Sequence, residues 1–125
     1  MEINKSAEDY LEMMLMLQEK YGYIRSIDIA EELNVTKPSV SFATKKLRES
    51  GYITMDKDHM IFLTDKGKKV ATAMYERHKF LADFLISLGV NPSIARIDAC
   101  KIEHDLSDES FRALQRCKCS DKLQR

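Results

Sequence analysis

Within the stretch DACKIEHDL, residues 98–106, stand a thiol, a carboxylate and an imidazole: Cys100, Glu103 and His104. On a helix, positions i, i+3 and i+4 share one face, so the three would converge. All are competent ligands for a divalent metal, and three from one face leave room for donors from elsewhere. Plainer roles fit the same residues. Cys100 can fill space as a small hydrophobe, Glu103 can sit in solvent, and His104 can be a helix-terminal cation favoured by the dipole. Asp9 and Glu12, spaced i and i+3, also share a helix face. Ser6 and Asp9 have the spacing of a capping box, which accounts for Asp9 without a metal, and Glu12 can simply be exposed. His78 lies among Met74, Leu81 and Ala82, where a satisfied core histidine is an ordinary occupant. An enzyme built on Cys100, Glu103 and His104 would need an oxyanion loop, a phosphate loop or a substrate-cleft motif, and the sequence contains none.

Several helices must position these side chains. SAEDYLEMMLMLQEKYG predicts a first helix with Ser6 as N-cap, a stripe of Tyr10, Met13, Met14 and Leu17, and Gly22 as its end. SIDIAEELNV predicts a second, short one with Ile27, Ile29, Ala30 and Leu33 turned inward. Thr36 then caps KPSVSFATKKLRESG, with Pro38 in the first turn, apolar Val40, Ala43 and Leu47, and Gly51 as the stop. Tyr52–Met55 and Met60–Leu63 are expected strands joined by a turn at DKDH. Thr64 caps a long helix whose stripe is Val70, Met74, Leu81, Leu85 and Leu88, ending at Gly89. Asn91 and Pro92 start the helix carrying DACKIEHDL, and Ser107 starts a last one. The expected fold class is mainly α with a small β-hairpin.

The 125 residues suffice for one domain or for two small ones sharing a core, and no apolar run approaches the roughly 18 residues of a membrane span. MEINKSAEDY lacks the apolar core of a secretory signal, so a soluble, cytoplasmic protein with no membrane partner is expected. The three cysteines, Cys100, Cys117 and Cys119, are an odd number without framework spacing and are expected to be reduced. Cys117 and Cys119 form a CxC that can respond to metal or redox state, or can be an exposed tail.

The formal net charge of zero hides segregation: residues 1–35 carry three bases and eight acids, whereas residues 36–69 carry eight bases and four acids. Two short helices joined by a tight turn and followed by a basic hairpin have the order of a winged helix-turn-helix, whose second helix enters the major groove. Lys37, Ser39, Ser41, Thr44 and Lys45 are positioned to reach bases or phosphates. Lys46, Arg48, Lys57 and the group Lys66, Lys68, Lys69 suit phosphates. Arg25, Thr36 and Pro38 complete the expected DNA contacts. Phe42 can touch a thymine methyl group or fold back onto the protein. His59, at the hairpin turn, can contact a phosphate or serve only the turn. The alternative is a solvated helix face beside an ordinary hairpin.

SAEDYLE, IRSIDIAEELNVTKPSVS, LTDKGKKVA, ERHKFLADFL, LGV and IEHDLS, in this order across about residues 6–108, resemble the metal-dependent transcriptional repressors of the diphtheria toxin repressor type. The resemblance implies a winged helix-turn-helix DNA-binding domain at 1–72 and a helical metal-binding and dimerisation domain at 73–125. It implies a repressor, not an enzyme, that acts as a homodimer on double-stranded DNA with a palindromic operator and takes no small-molecule substrate. It makes Asp9, Glu12, His78, Cys100, Glu103 and His104 the metal positions. Asp9 matches the manganese-responsive branch and Cys100 the iron-responsive branch, while the iron branch's accessory site is incomplete at Ala82 and Arg96. The resemblance therefore implies one principal site of Asp9, Cys100, Glu103 and His104, with Glu12 and His78 able to form a second, weaker one with Glu103. Fe²⁺ or Mn²⁺ is the expected cofactor, a thiolate leaning toward Fe²⁺, and Co²⁺, Ni²⁺ or Zn²⁺ can substitute in vitro. The chain ends at Arg125, where the iron branch continues into an extra domain, so the shorter manganese type is the expected architecture. Ile94, Ile97, Ile102, Leu106, Phe111 and Leu114 supply apolar surface for a two-fold partner or for the core. The rival readings are a winged-helix regulator without metal sensing and, from another class, a small thiol- or metal-dependent enzyme.

Overall fold

In a computed structural model, which describes the backbone of residues 4–124 and the side chains of residues 4–117, the first helix opens on Asn4 rather than Ser6. Helix α1 runs Lys5–Tyr21, and Asn4 Oδ1 accepts from the Ala7 amide at 2.8 Å. Asparagine caps as well as serine, so the helix starts two residues earlier and Ser6 falls inside its first turn. Gly22, at φ 83°, ends the helix in the left-handed conformation that glycine adopts without strain. Helix α2 (Ser26–Leu33) buries Ile29 and Ala30 but leaves Ile27 exposed, because eight residues turn only a narrow stripe inward. Asn34, at φ 55°, turns the chain into α3 (Lys37–Glu49).

Strands β1 (Ile53–Met55) and β2 (Ile61–Leu63) pair antiparallel with Ile53 opposite Leu63, forming the wing. Ile61 also donates to the Ile24 carbonyl at 3.1 Å, an isolated bridge that ties the wing to the segment between α1 and α2. Leu11, Met14, Leu17, Ile24, Ile29, Val40, Leu47, Ile53 and Ile61 form the buried interior here. Helix α4 (Asp65–Ser87) leaves the wing, and the Thr64 hydroxyl accepts from the Gly67 amide at 3.1 Å at its start. Gly67 is where the backbones touch: a Cβ there would lie 2.0 Å from the Tyr52 carbonyl oxygen.

The chain divides into two units, Met1–Ala73 and Met74–Arg125, the boundary falling within α4. In the second unit, Asn91 caps α5 (Pro92–Ile102), accepting from the Ser93 amide at 2.9 Å, and α6 runs Asp108–Gln124. Leu81, Ala82 and Ala99 are buried, with Phe80, Ile102, Leu106, Phe111 and Leu114 packed against them. Leu88, expected on the inward stripe, is exposed because α4 ends at Ser87 and Leu88 falls in the turn that Gly89 completes at φ 97°. Among the described residues, no helix is long and apolar enough to cross a membrane.

Candidate nucleic-acid interface and metal centre

Burial of Val40 and Leu47 fixes which face of α3 looks outward. Lys37, Pro38, Ser39, Ser41, Phe42, Lys45, Lys46 and Arg48 are all exposed. Thr36 Oγ1 accepts from the Ser39 amide at 3.3 Å and shares a 2.8 Å hydrogen bond with the Ser39 hydroxyl, holding the first turn. Phe42 is 63% exposed, and Lys46 Nζ lies 4.8 Å from its ring centroid, so the aromatic does not fold into the interior. Thr44 departs from expectation. It is 3% exposed and its hydroxyl donates to the Ser41 carbonyl at 3.1 Å, because position 44 sits between Val40 and Leu47 on the inward face.

Arg25 precedes α2 as its N-cap, held 3.3 Å from Asp28 Oδ2 and 5.0 Å from the Tyr23 ring. Lys57 is exposed on the wing turn, where the Asp56 carboxylate accepts from the Asp58 and Met60 amides, each at 2.9 Å. His59 completes that turn at φ 62°. Lys68 and Lys69 are exposed, but Lys66 donates to the Ser50 carbonyl at 3.0 Å and lies over Tyr52, which leaves it tied to its own chain. This unit can place cations and one aromatic ring against a duplex, with helix α3 as the probe.

The second unit gathers three of the expected metal positions. Glu103 is 0% exposed, and His78 Nδ1 lies 3.2 Å from its Oε2 in a hydrogen bond that the imidazole donates. His104 Nε2 lies 3.3 Å from Oε1 in a contact whose geometry makes no hydrogen bond, and among the described residues Oε1 accepts none. The side chains of His78 and His104 are 17% and 1% exposed. A helix through all of DACKIEHDL does not form. Helix α5 stops at Ile102, Glu103 is its C-cap, and His104 stands in the turn beyond. Cys100 is exposed while its neighbour Ala99 is fully buried, so the expected single face does not carry Cys100 inward with Glu103.

In the first unit, α1 buries the Glu12 carboxylate and half-buries Asp9. On the same helix, burial pushes the Tyr10 phenol above its ordinary pKa, as desolvation disfavours the phenolate. Cys117 is exposed, and Cys119 lies outside the described side chains. Sequence reasoning missed Arg77, which is buried on α4. Its signal was present: it stands three residues after Met74 and four before Leu81, on the apolar stripe.

A winged helix-turn-helix with a basic probe helix, followed by a helical unit holding a buried glutamate flanked by two histidines, defines a DNA-binding regulator. Residues 2–61 match the model of the iron dependent repressor N-terminal DNA binding domain, and residues 64–117 that of the iron dependent repressor metal binding and dimerisation domain. The chain belongs to this family of metal-dependent transcriptional regulators, which are not enzymes. It is 39% identical over 108 residues to the transcriptional regulator MntR of Escherichia coli O6:H1, covering 86% of this chain and 70% of that protein. Among solved structures it is similar to the manganese regulator SloR, with TM-score 0.78 and 32% identity over 93% of this chain and 54% of that one. A manganese-dependent transcriptional repressor in complex with manganese aligns with TM-score 0.77 and 31% identity, over 91% of this chain and 51% of that one. The chain thus spans about half the length of those two solved proteins.

Proposed function

We propose that the chain is a manganese-responsive repressor that binds a palindromic operator as a homodimer. The observation that carries the metal reading is Glu103, a fully buried carboxylate with one oxygen that accepts no hydrogen bond and an imidazole on either side. An orphaned buried acceptor is costly, and a divalent cation would satisfy it. Asp9, Glu12, Glu103 and His104 are the proposed ligands, side chains of the types that hold such an ion. His78, whose Nδ1 lies 3.2 Å from Glu103 Oε2, orients that carboxylate and offers Nε2 as a further ligand atom. This set is oxygen and nitrogen only. It is harder than one completed by Cys100 and suits Mn²⁺ or Fe²⁺. Manganese is favoured by the relatives described as manganese regulators.

A bound ion supplies positive charge that offsets the carboxylates and orders their donor atoms. Ligands that all meet in only one arrangement of the chain shift the population toward that arrangement when they bind. The exposed Ile86, Leu88, Ile94 and Ile97 form the proposed dimer face, and a two-fold pair would present its α3 helices to successive major grooves about 34 Å apart.

The test is fluorescence anisotropy, under anaerobic conditions and at fixed salt, on DNA upstream of the protein's own gene with chelator, Mn²⁺ or Fe²⁺. Tight binding only with metal, and tighter with Mn²⁺ at matched free concentration, is expected. Equal binding with chelator and metal would keep the winged helix and remove the sensor.

A further inference from the structure

Arg77 is the most enclosed cation among the described residues, 7% exposed, and its guanidinium is spent on backbone rather than on a buried acid. One terminal nitrogen, Nη1, donates to the Glu103 carbonyl at 3.0 Å and to the Leu106 carbonyl at 2.6 Å. The other, Nη2, pairs with Asp108 at the start of α6. The Phe111 ring covers the guanidinium at 5.0 Å and meets Phe80 edge-on at 5.4 Å. Arg77 is therefore bonded to both ends of the turn that carries Glu103 and His104.

We infer that Arg77 is a positioning residue for the metal ligands: it sets the direction of the Glu103 and His104 side chains before any ion arrives. The inference rests on the metal reading above. Helix α5 has ended at Ile102, so the carbonyls of Glu103 and Leu106 lie beyond its regular hydrogen bonding. Fixing the Glu103 and Leu106 carbonyls anchors the peptide plane that leaves Glu103 and restrains the dihedrals of the turn that aim His104. Asp108, 83% exposed at its side chain, adds little to this restraint, since solvent screens an exposed ion pair. A lysine at position 77 would keep the charge but lose the planar fork and the ring stacking.

The test compares full-length wild type, Arg77→Lys and Asp108→Asn. Binding of Mn²⁺ is followed through the paramagnetic resonance signal of the free ion. In chelator, circular dichroism checks folding and amide hydrogen exchange is read across residues 103–107. Arg77→Lys should remain folded, exchange faster across that turn without metal, and bind Mn²⁺ about tenfold more weakly or worse, the usual scale for losing a group that orients a ligand. Asp108→Asn should stay within about twofold, as an exposed pair predicts. Wild-type affinity in folded Arg77→Lys, or an equal loss in Asp108→Asn, overturns the inference alone. A wild type that binds no Mn²⁺ overturns the metal reading and this inference with it. If Arg77→Lys does not fold, Phe111→Leu, which removes only the ring over the guanidinium, is held to the same outcomes.

Discussion

Replacing Glu103 by glutamine should separate what this side chain does for the fold from what it does for an ion. In the metal-free protein the carboxylate is fully buried; His78 donates to its Oε2, and among the described residues its Oε1 accepts no hydrogen bond. A buried acceptor left without a hydrogen bond costs roughly 1–3 kcal/mol, and a buried charge adds its own desolvation. Glutamine keeps the shape, drops the charge and gains an NH₂ to turn toward an imidazole. Metal-free Glu103→Gln is therefore expected to be as stable as wild type or up to about 2 kcal/mol more stable. With Mn²⁺ the order should reverse. Wild type at 100 times Kd gains about 2.7 kcal/mol from ligation, whereas the variant, lacking the anionic donor, gains little. Urea denaturation with chelator and with Mn²⁺ measures both numbers. A variant that loses more than about 2 kcal/mol in chelator while keeping its Mn²⁺ shift would mean that Glu103 is a structural ion-pair partner, and the argument from its orphaned oxygen would fail.

Gly67→Ala should destabilise the DNA-binding unit by about 3 kcal/mol or more, since its Cβ would strike the Tyr52 carbonyl, which is backbone and cannot swing away; a thermal melt within a degree of wild type would contradict this. Thr36→Ala removes the oxygen that accepts the Ser39 amide and should cost about 1 kcal/mol, read from urea midpoints. Lys45→Ala is expected to weaken binding to all DNA sequences alike and to lower the slope of log K against log salt by about 1, the signature of one lost phosphate contact. Cys100→Ser, altering an exposed side chain outside the proposed ligands, should leave Mn²⁺ affinity within about threefold; a tenfold loss would put the thiolate back among the ligands.

The elements that carry periodic apolar residues and strong punctuation were legible in the sequence. Thr36, Pro38 and Gly51 bracket α3, and Asn91 with Pro92 opens α5, because capping and proline geometry act within a few residues. The same local rules failed where two residues competed or a helix was short. Asn4 and Ser6 are comparable caps, and only the chain's actual path selects Asn4. Ile27 looks apolar enough to be inward, yet α2 turns Ile29 and Ala30 to the interior instead. The bridge between Ile24 and Ile61 spans too many residues for any window to register.

Site chemistry was legible in type but not in placement. Spacing alone put Cys100, Glu103 and His104 on one face, an argument valid only while the helix continues. Helix α5 stops at Ile102; Glu103, its C-cap, keeps helical backbone angles (φ −56°, ψ −29°), and His104 stands in the turn beyond. What holds that turn is Arg77, 26 positions from Glu103: the apolar stripe of α4 marks it as inward, but no local pattern names the carbonyls it meets. The placement bears on the choice of metal. Cys100 lies within α5 and is exposed, whereas Glu103 at the C-cap is buried between the imidazoles of His78 and His104. On the proposed ligand set, a preference for a hard ion follows from which donors burial brings together rather than from which donors the sequence contains.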